Sequence, residues 1–154
     1  MKQVLLTVGI GIIVCSVASV QSQAPAGTTG VGPAPAASAS LVDSEGRSIG
    51  QALLQQAAHG VLLKLELKKA TPGIHGLHIH AVGRCDRPSF ESAGGHFNPT
   101  NKQHGYLNPN GPHAGDLTNI EVPATTELSV EYFVPGVTID PGPRSLADRD
   151  GSAI

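Results

Sequence analysis

The stretch Val61-Leu62-Leu63-Lys64-Leu65-Glu66-Leu67-Lys68 has the most regular pattern in the sequence. Its odd-numbered positions are all apolar, whereas its even-numbered positions are mostly charged. Successive side chains of a β-strand point to opposite faces of a sheet, so this period of two predicts a half-buried strand. A helix, which is the competing interpretation, fits the placement of the charges poorly.

Turn signals bound this strand and its neighbours. Asp43 to Gly46 predicts a turn after a first strand, a second strand is expected over about Ile49 to Gln55, and Thr71-Pro72-Gly73 ends the strand quoted above. Glycine and proline contribute 19 and 12 of the 154 residues, a share that favours many turns over long helices. The chain has no Trp, so Val, Leu, Ile and Ala must fill most of the core. These features predict an all-β fold.

Length and charge limit the number of domains and the kinds of partner that we expect. A chain of 154 residues with 40% hydrophobic residues supports one compact domain and little more. Its formal net charge of −2 does not suggest nucleic acid as a partner.

The first residues have the pattern of an export signal. Lys2 precedes an apolar run from Val4 to Val14, and small residues such as Ala18 and Ser22 follow. An uncleaved membrane anchor is the other interpretation, but the run is shorter than the roughly 20 residues that a spanning helix needs. We therefore expect residues 1–22 to be a cleaved signal peptide, which leaves no stable membrane partner. The mature protein is then expected to be periplasmic or extracellular.

A segment of biased composition follows the signal. From Ala24 to Ser40 the sequence contains almost only Ala, Gly, Pro, Ser and Thr, with Val31 as an exception and no charged residue. Such a segment buries too little surface to order itself. The prediction is a flexible linker over residues 23–40, followed by a domain over residues 41–154.

Gly76-Leu77-His78-Ile79-His80-Ala81-Val82 predicts another strand, and here the alternation carries chemistry. Residues two apart on a strand share a face, so His78 and His80 project together while Leu77 and Ile79 face the other way. Two imidazoles so placed can chelate a metal ion, although two histidines can also share a solvated face. For the lone histidines His59 and His75, surface or hydrogen-bonding roles are expected.

A long region without periodicity runs from Gly83 to about Asn119 and contains four more candidate ligands. A loop of this length is unusual in a compact domain unless it is functional and cross-linked. Imidazole and carboxylate groups suit zinc and copper, and five histidines with one aspartate are enough for two ions. A polar surface loop with scattered histidines is the alternative. The four candidates follow one another at spacings of eight, nine and three residues: His96, His104, His113 and Asp116.

These motifs resemble those of the copper/zinc superoxide dismutase family, of the exported bacterial type. The resemblance rests on Gly76 to His80, Ala93 to Pro99 and His113 to Leu117, in order and spacing, and covers roughly Leu41 to Ile154. It implies a Greek-key β-barrel or sandwich, immunoglobulin-like, of eight strands, with a long metal-binding loop.

The resemblance also implies the cofactors, the substrate and the role of each ligand. Copper would bind to His78, His80 and His96, which form the catalytic set, and superoxide would be converted there to dioxygen and hydrogen peroxide. His96 would bridge the two metals. Zinc would have four ligands: His96, His104, His113 and Asp116. A homodimer and a monomer both remain open.

The sequence also departs from the family pattern at its end. The family places a strand with a fourth copper-binding histidine after a turn like Asp148 to Ala153, and this sequence ends at Ile154. The family's active-site arginine and the cysteine that would pair with Cys85 are also missing. An incomplete copy of a longer protein and a natural product that ends here are the two explanations, and we favour the first.

These departures affect the expected activity. For residues 1–154 alone we expect zinc binding with inefficient dismutation. Two other functions stay open: a non-catalytic periplasmic copper/zinc-binding protein, and a β-sandwich without metal that serves in adhesion or assembly.

Overall fold

The computed structural model describes residues 36–154. Six strands lie in this range, and they form a four-stranded sheet of order β1-β2-β3-β6 and a two-stranded sheet of β4 and β5. The predicted signal peptide and most of the predicted linker lie outside the described residues. The strands are β1 (Ala36–Val42), β2 (Ser48–Ala57), β3 (Gly60–Lys68), β4 (Gly73–His75), β5 (Ile120–Val122) and β6 (Glu127–Pro135).

All neighbouring strands pair antiparallel, and the chain leaves the larger sheet after β3 and returns to it as β6. Buried residues of both sheets, such as Leu63 and Val122, belong to one hydrophobic core. Over residues 36–154 the two sheets do not close into a barrel. The all-β prediction is therefore confirmed in its sandwich form.

Strand β3 shows the alternation that its sequence predicts. Val61, Leu63, Leu65 and Leu67 are buried, and the charged residues between them are partly exposed. Burial of such a side chain stabilises the fold by about 1.5–3 kcal/mol, so one face of this strand supplies much of the core. The predicted second strand and the turn before it are also present, as β2 and the hydrogen bond from Gly46 N–H to Asp43 O.

The predicted linker extends too far at its C-terminal end. Residues 36–40 belong to β1, where Ala39 pairs with Ala52 of β2. Ala39 and Leu41 are buried in the core on the inner face of this strand. Composition failed here because a strand that pairs through its backbone and buries alanine needs few large apolar side chains.

The strand predicted over Gly76 to Val82 is not continuous. Only isolated bridges form, between His78 and Asp116 and from His80 to His96 and Ala153. Each partner is a loop segment that pairs with this stretch at one residue only, so no continuous ladder of backbone hydrogen bonds forms. The predicted alternation is nevertheless correct, because Leu77 and Ile79 are buried while the two histidines are partly exposed.

The region from Gly83 to Asn119 is irregular, as its sequence predicts. Its single regular element is a 3-10 helix at Glu91–Ala93. Among residues 36–154, none belongs to a helix with the length and apolar character needed to cross a membrane.

Candidate metal centre

Three segments meet at a closed ring of backbone hydrogen bonds, which we call the frame. Ile79 N–H donates to Gly115 O at 2.8 Å, Gly115 N–H to Phe97 O at 2.8 Å, and Phe97 N–H to Ile79 O at 2.7 Å. Ile79 and Phe97 are buried, which anchors the frame in the core. Each frame residue is adjacent in sequence to a predicted ligand, so the frame brings four of them together: His78, His80, His96 and Asp116.

Position 115 requires glycine because the frame leaves no room there for a side chain. A Cβ atom at this position would lie 2.2 Å from Ile79 O and 2.9 Å from Phe97 N, both of which are backbone atoms. Real Cβ atoms do not approach that closely, so any larger residue would push the segments apart. The glycine before Asp116 is therefore part of how the site is built.

Asp116 lies at the centre of the site and is only 3% exposed. Its Oδ1 atom lies 2.8 Å from His96 Nδ1, 3.1 Å from His104 Nδ1 and 3.4 Å from His113 Nδ1. Its Oδ2 atom accepts hydrogen bonds from the backbone N–H groups of Gly105 and His113, at 2.9 and 3.0 Å. The ligand atoms of these three histidines and Asp116 all lie within 4.8 Å of one another, a group that could hold a metal ion.

The carboxylate of Asp116 is held in its charged form. Burial alone raises the pKa of Asp116, but hydrogen bonds from Gly105 N–H, His96 and His113 N–H outweigh it and hold the pKa well below its usual range. A buried negative charge is costly unless positive charge lies beside it. The site therefore favours a cation between the carboxylate and the three imidazoles.

Two imidazole nitrogens near Asp116 also favour bound metal ions. Within the part of the chain that the structure describes, His78 Nδ1 and His113 Nδ1 are buried and have no hydrogen-bond partner. A buried polar atom without a partner costs about 1–3 kcal/mol, and coordination to a metal would satisfy it. Three imidazoles and one carboxylate also match the donors and the coordination number that zinc prefers. The residues present therefore fit zinc.

The rings of the other four predicted histidine ligands all lie next to the ring of His96. Its ring stacks on His78 with 4.0 Å between centroids and meets the ring of His80 edge-on at 5.0 Å. On its other contacts, the ring centroids of His104 and His113 lie 5.0 and 5.6 Å away. The structure thus brings the other five predicted ligands around the imidazole of His96, although His78 and His80 are outside the four-residue group.

His80 is held by its own backbone and by its ring. Its N–H donates to Ala153 O at 2.7 Å, and its Nδ1 lies 2.8 Å from Gly94 O. A carbonyl only accepts, so Nδ1 carries the proton and Nε2 keeps a free lone pair for a metal. His78 is placed differently, because its Nδ1 lies 3.6 Å from Asp116 Oδ1.

The imidazoles near the centre are disposed to be neutral. Burial lowers the pKa of His78, and the neighbouring His96 lowers it further, while Asp116 opposes both. Burial also lowers the pKa of His96. Because a metal binds the neutral ring, a lowered pKa favours coordination at neutral pH.

Two residues of the site were missed at the level of sequence. Gly105 contributes its N–H to the carboxylate of Asp116, and Tyr106 donates its hydroxyl to Asp116 O at 2.7 Å. The only available signal was their position directly after His104. The roles expected for the lone histidines are confirmed, since His75 Nε2 bonds to Thr71 O and His59 is exposed.

The family model and the similar proteins all belong to one family. A family model described as copper/zinc superoxide dismutase matches residues 48–154. Superoxide dismutase [Cu-Zn] 1 of Aquifex aeolicus is 45% identical over 118 residues, which cover 75% of this chain and 70% of that protein. Superoxide dismutase [Cu-Zn] of Caulobacter vibrioides is 41% identical, with 77% of this chain and 70% of that protein covered.

Solved structures agree with the sequence comparison. A SOD-like protein from Bacillus subtilis has a TM-score of 0.70 at 38% identity, covering 75% of this chain and 78% of that chain. The Cu/Zn superoxide dismutase from Brucella abortus has a TM-score of 0.55 at 27% identity, covering 67% of this chain and 74% of that one.

Proposed function

Because this chain belongs to the copper/zinc superoxide dismutase family, we propose that it disproportionates superoxide to dioxygen and hydrogen peroxide at a copper site beside a zinc site. The observation that carries the proposal is the position of His96. Its ring contacts His78 and His80 as well as His104 and His113, the two histidine pairs that the proposal gives to different metals.

Zinc is assigned to the group around Asp116, which comprises His96, His104, His113 and Asp116. The support is the clustering of their ligand atoms within 4.8 Å and the ionised carboxylate at the centre. These residues lie at both ends and in the middle of the segment from position 96 to position 116, so a bound ion would cross-link it. The zinc site is therefore expected to order the loop.

Copper is assigned to His78, His80 and His96. The support is the free Nε2 atom of His80, the buried Nδ1 of His78 without a hydrogen-bond partner, and the contact of both rings with His96. His96 can serve both metals because its Nδ1 faces Asp116 and its Nε2 remains for the second ion.

When bound, copper supplies the one-electron redox couple that the two half-reactions need, whereas zinc, which has no redox chemistry, supplies fixed positive charge. The overall reaction converts two superoxide ions and two protons into dioxygen and hydrogen peroxide. His96 Nε2, when it is not bound to copper, is the atom assigned to carry one of these protons, since Nδ1 faces Asp116 and the zinc site. The contacts on the Nδ1 side would keep the ring in place while Nε2 gains or loses the proton.

Export to the periplasm or the extracellular space is part of the same proposal. It is supported by the signal-like pattern of residues 1–22 and by a similar protein named extracellular superoxide dismutase from Brugia pahangi, 35% identical over 109 residues. Superoxide is the proposed partner, and it is a small anion. A homodimer is also proposed, and light scattering would test it.

A non-catalytic copper/zinc-binding protein is the second candidate. It is favoured by the smaller ligand set on the copper side, where three imidazoles meet in the described part of the chain, against the four ligands of the group that includes Asp116. A relative with 41% identity is named superoxide dismutase-like protein YojM, from Bacillus subtilis. This function would use the same ligands without turnover.

The test compares superoxide consumption by the protein loaded with zinc alone and with both metals, after removal of unbound ions. The proposal expects copper-dependent consumption that the variant His80→Gln abolishes and the exposed control His59→Gln retains. Bound copper in the wild type without copper-dependent consumption of superoxide would favour the binding protein instead.

A further inference from the structure

We propose that Tyr106 is a positioning residue for the zinc site and that its hydroxyl holds Asp116 and His104 at the spacing that zinc requires. This inference deepens the proposed function and rests on it. No sequence motif indicated such a role, and Tyr106 is not itself a ligand in the proposal.

The backbone of Asp116 needs a partner on the side where Tyr106 lies. Asp116 bridges to His78, and the hydrogen bonds of that pairing are made by its neighbours, Gly115 and Leu117. In such a pair the N–H and C=O of the central residue point away from the partner segment. The N–H of Asp116 bonds to His113 O at 3.2 Å, and its carbonyl accepts the hydroxyl of Tyr106 at 2.7 Å.

Two consecutive residues, Gly105 and Tyr106, therefore donate hydrogen bonds to the side chain and to the backbone of Asp116. Gly105 N–H donates to the carboxylate at 2.9 Å, and Tyr106 donates to the backbone carbonyl. Because these residues directly follow His104, the same two bonds hold that histidine against the carboxylate. We call this pair of contacts the latch.

His104 needs the latch more than the other histidines do. Its side chain is 58% exposed, whereas those of His96 and His113 are 22% and 18% exposed. His96 borders the frame residue Phe97 in sequence, so the frame positions it. His113 does not border Gly105 or Tyr106, so the latch does not act on it directly. A mostly exposed side chain has few packing contacts to restrict it, so the position of His104 depends on the residues that follow it.

The role of Tyr106 is polar rather than hydrophobic. The residue is 56% exposed, and its next neighbour Leu107 is fully exposed, so this part of the loop adds little to the core. What Tyr106 does contribute is the hydrogen bond to Asp116. Removal of the hydroxyl alone is therefore the matched perturbation.

The experiment compares Tyr106→Phe with Tyr132→Phe, which removes the other tyrosine hydroxyl of the chain, in strand β6. Zinc affinity is measured by competition with a chelator, and cobalt(II) in the zinc site reports ligand geometry through its visible absorption. We expect about a tenfold loss of zinc affinity for Tyr106→Phe, the size of one hydrogen bond to an ordered site, with a changed cobalt spectrum. Tyr132→Phe and the copper affinity of both variants should stay within about twofold of wild type.

The outcomes separate the two proposals. Unchanged zinc affinity and an unchanged cobalt spectrum in Tyr106→Phe, even with a lower melting temperature, would reduce Tyr106 to a structural contact and overturn the inference. Wild-type protein that takes up neither zinc nor cobalt would instead overturn the proposed function and, with it, the inference.

Discussion

The larger sheet and the segment from Gly76 to Asn119, here called the loop, are stabilised in different ways. Strands β1, β2, β3 and β6 bury alternate apolar side chains against a common core, and their ladders satisfy the backbone. The loop forms no ladder, and the frame at Ile79, Phe97 and Gly115 together with the ionised Asp116 fixes its course. The comparison shows that one chain can specify one region by local periodicity and another by a few distant contacts.

The two regions should therefore respond differently to the same perturbation. Loss of apolar burial weakens the sheet with or without metal, because the sheet contains none of the ligands. Loss of metal weakens the loop first, since there it would neutralise a buried carboxylate and satisfy buried imidazole nitrogens.

Metal removal should have the largest effect and should separate the regions most clearly. A ligand present at about 1,000 times its dissociation constant stabilises a protein by about 4 kcal/mol, so chelation of zinc should lower the melting temperature strongly. In the metal-free protein, hydrogen exchange should be fast at Gly105 and His113, whose N–H groups bond to Asp116, and should stay much slower at Leu63 and Leu65 of β3. Equal protection of both regions in the metal-free protein would mean that they unfold as one unit.

Leu63→Ala should destabilise the sheet by about 3 kcal/mol, because the side chain is fully buried and leaves a cavity. The neighbouring Leu62→Ala is the control, since Leu62 is only partly buried on the opposite face. Chemical denaturation of metal-free and metal-loaded protein measures both. The cost of Leu63→Ala should be the same in the two forms, and a cost that appears only with metal would link the strand to the site.

Gly115→Ala should disturb the loop by about 2–3 kcal/mol, because its Cβ would clash with the carbonyl of Ile79. Gly95→Ala, where a Cβ meets nothing within 4 Å, is the matched control in the same loop. Denaturation and zinc titration should show weaker zinc binding for the first variant and little change for the second. Full zinc affinity in Gly115→Ala would contradict the role of the frame.

Gln56→Ala should have the smallest effect, about 1–2 kcal/mol, and should refine the comparison. Gln56 Oε1 accepts hydrogen bonds from Thr138 and from Ile139 N–H, which ties the end of β2 to a distant segment. Exposed Gln55 is the control. Denaturation midpoints should fall for Gln56→Ala alone, with zinc binding intact; altered zinc binding would indicate that this contact supports the loop as well.

The sheet was the more predictable region, because its signals are local. The period of two at Val61 to Lys68 predicted β3, and turn residues located its neighbours. The start of β1 at Ala36 was not predictable from composition, since small residues are common to linkers and to tightly paired strands.

The loop was predictable in its chemistry but not in its geometry. The spacing of His96, His104, His113 and Asp116 predicted a ligand group that the structure brings together. The crowding at Gly115 and the hydroxyl contact of Tyr106 depend on segments far apart in sequence, so no local pattern could indicate them. Residue types thus predicted what could bind, whereas the frame determines where.

The most direct test of the shared site is the copper and zinc content of the reconstituted protein and of three single variants, His80→Gln, His104→Gln and His96→Gln. We expect one ion of each metal per chain in the wild type, loss of copper alone in the first variant, loss of zinc alone in the second, and weakened binding of both in the third. Retention of both metals at wild-type affinity by His96→Gln would contradict the shared site.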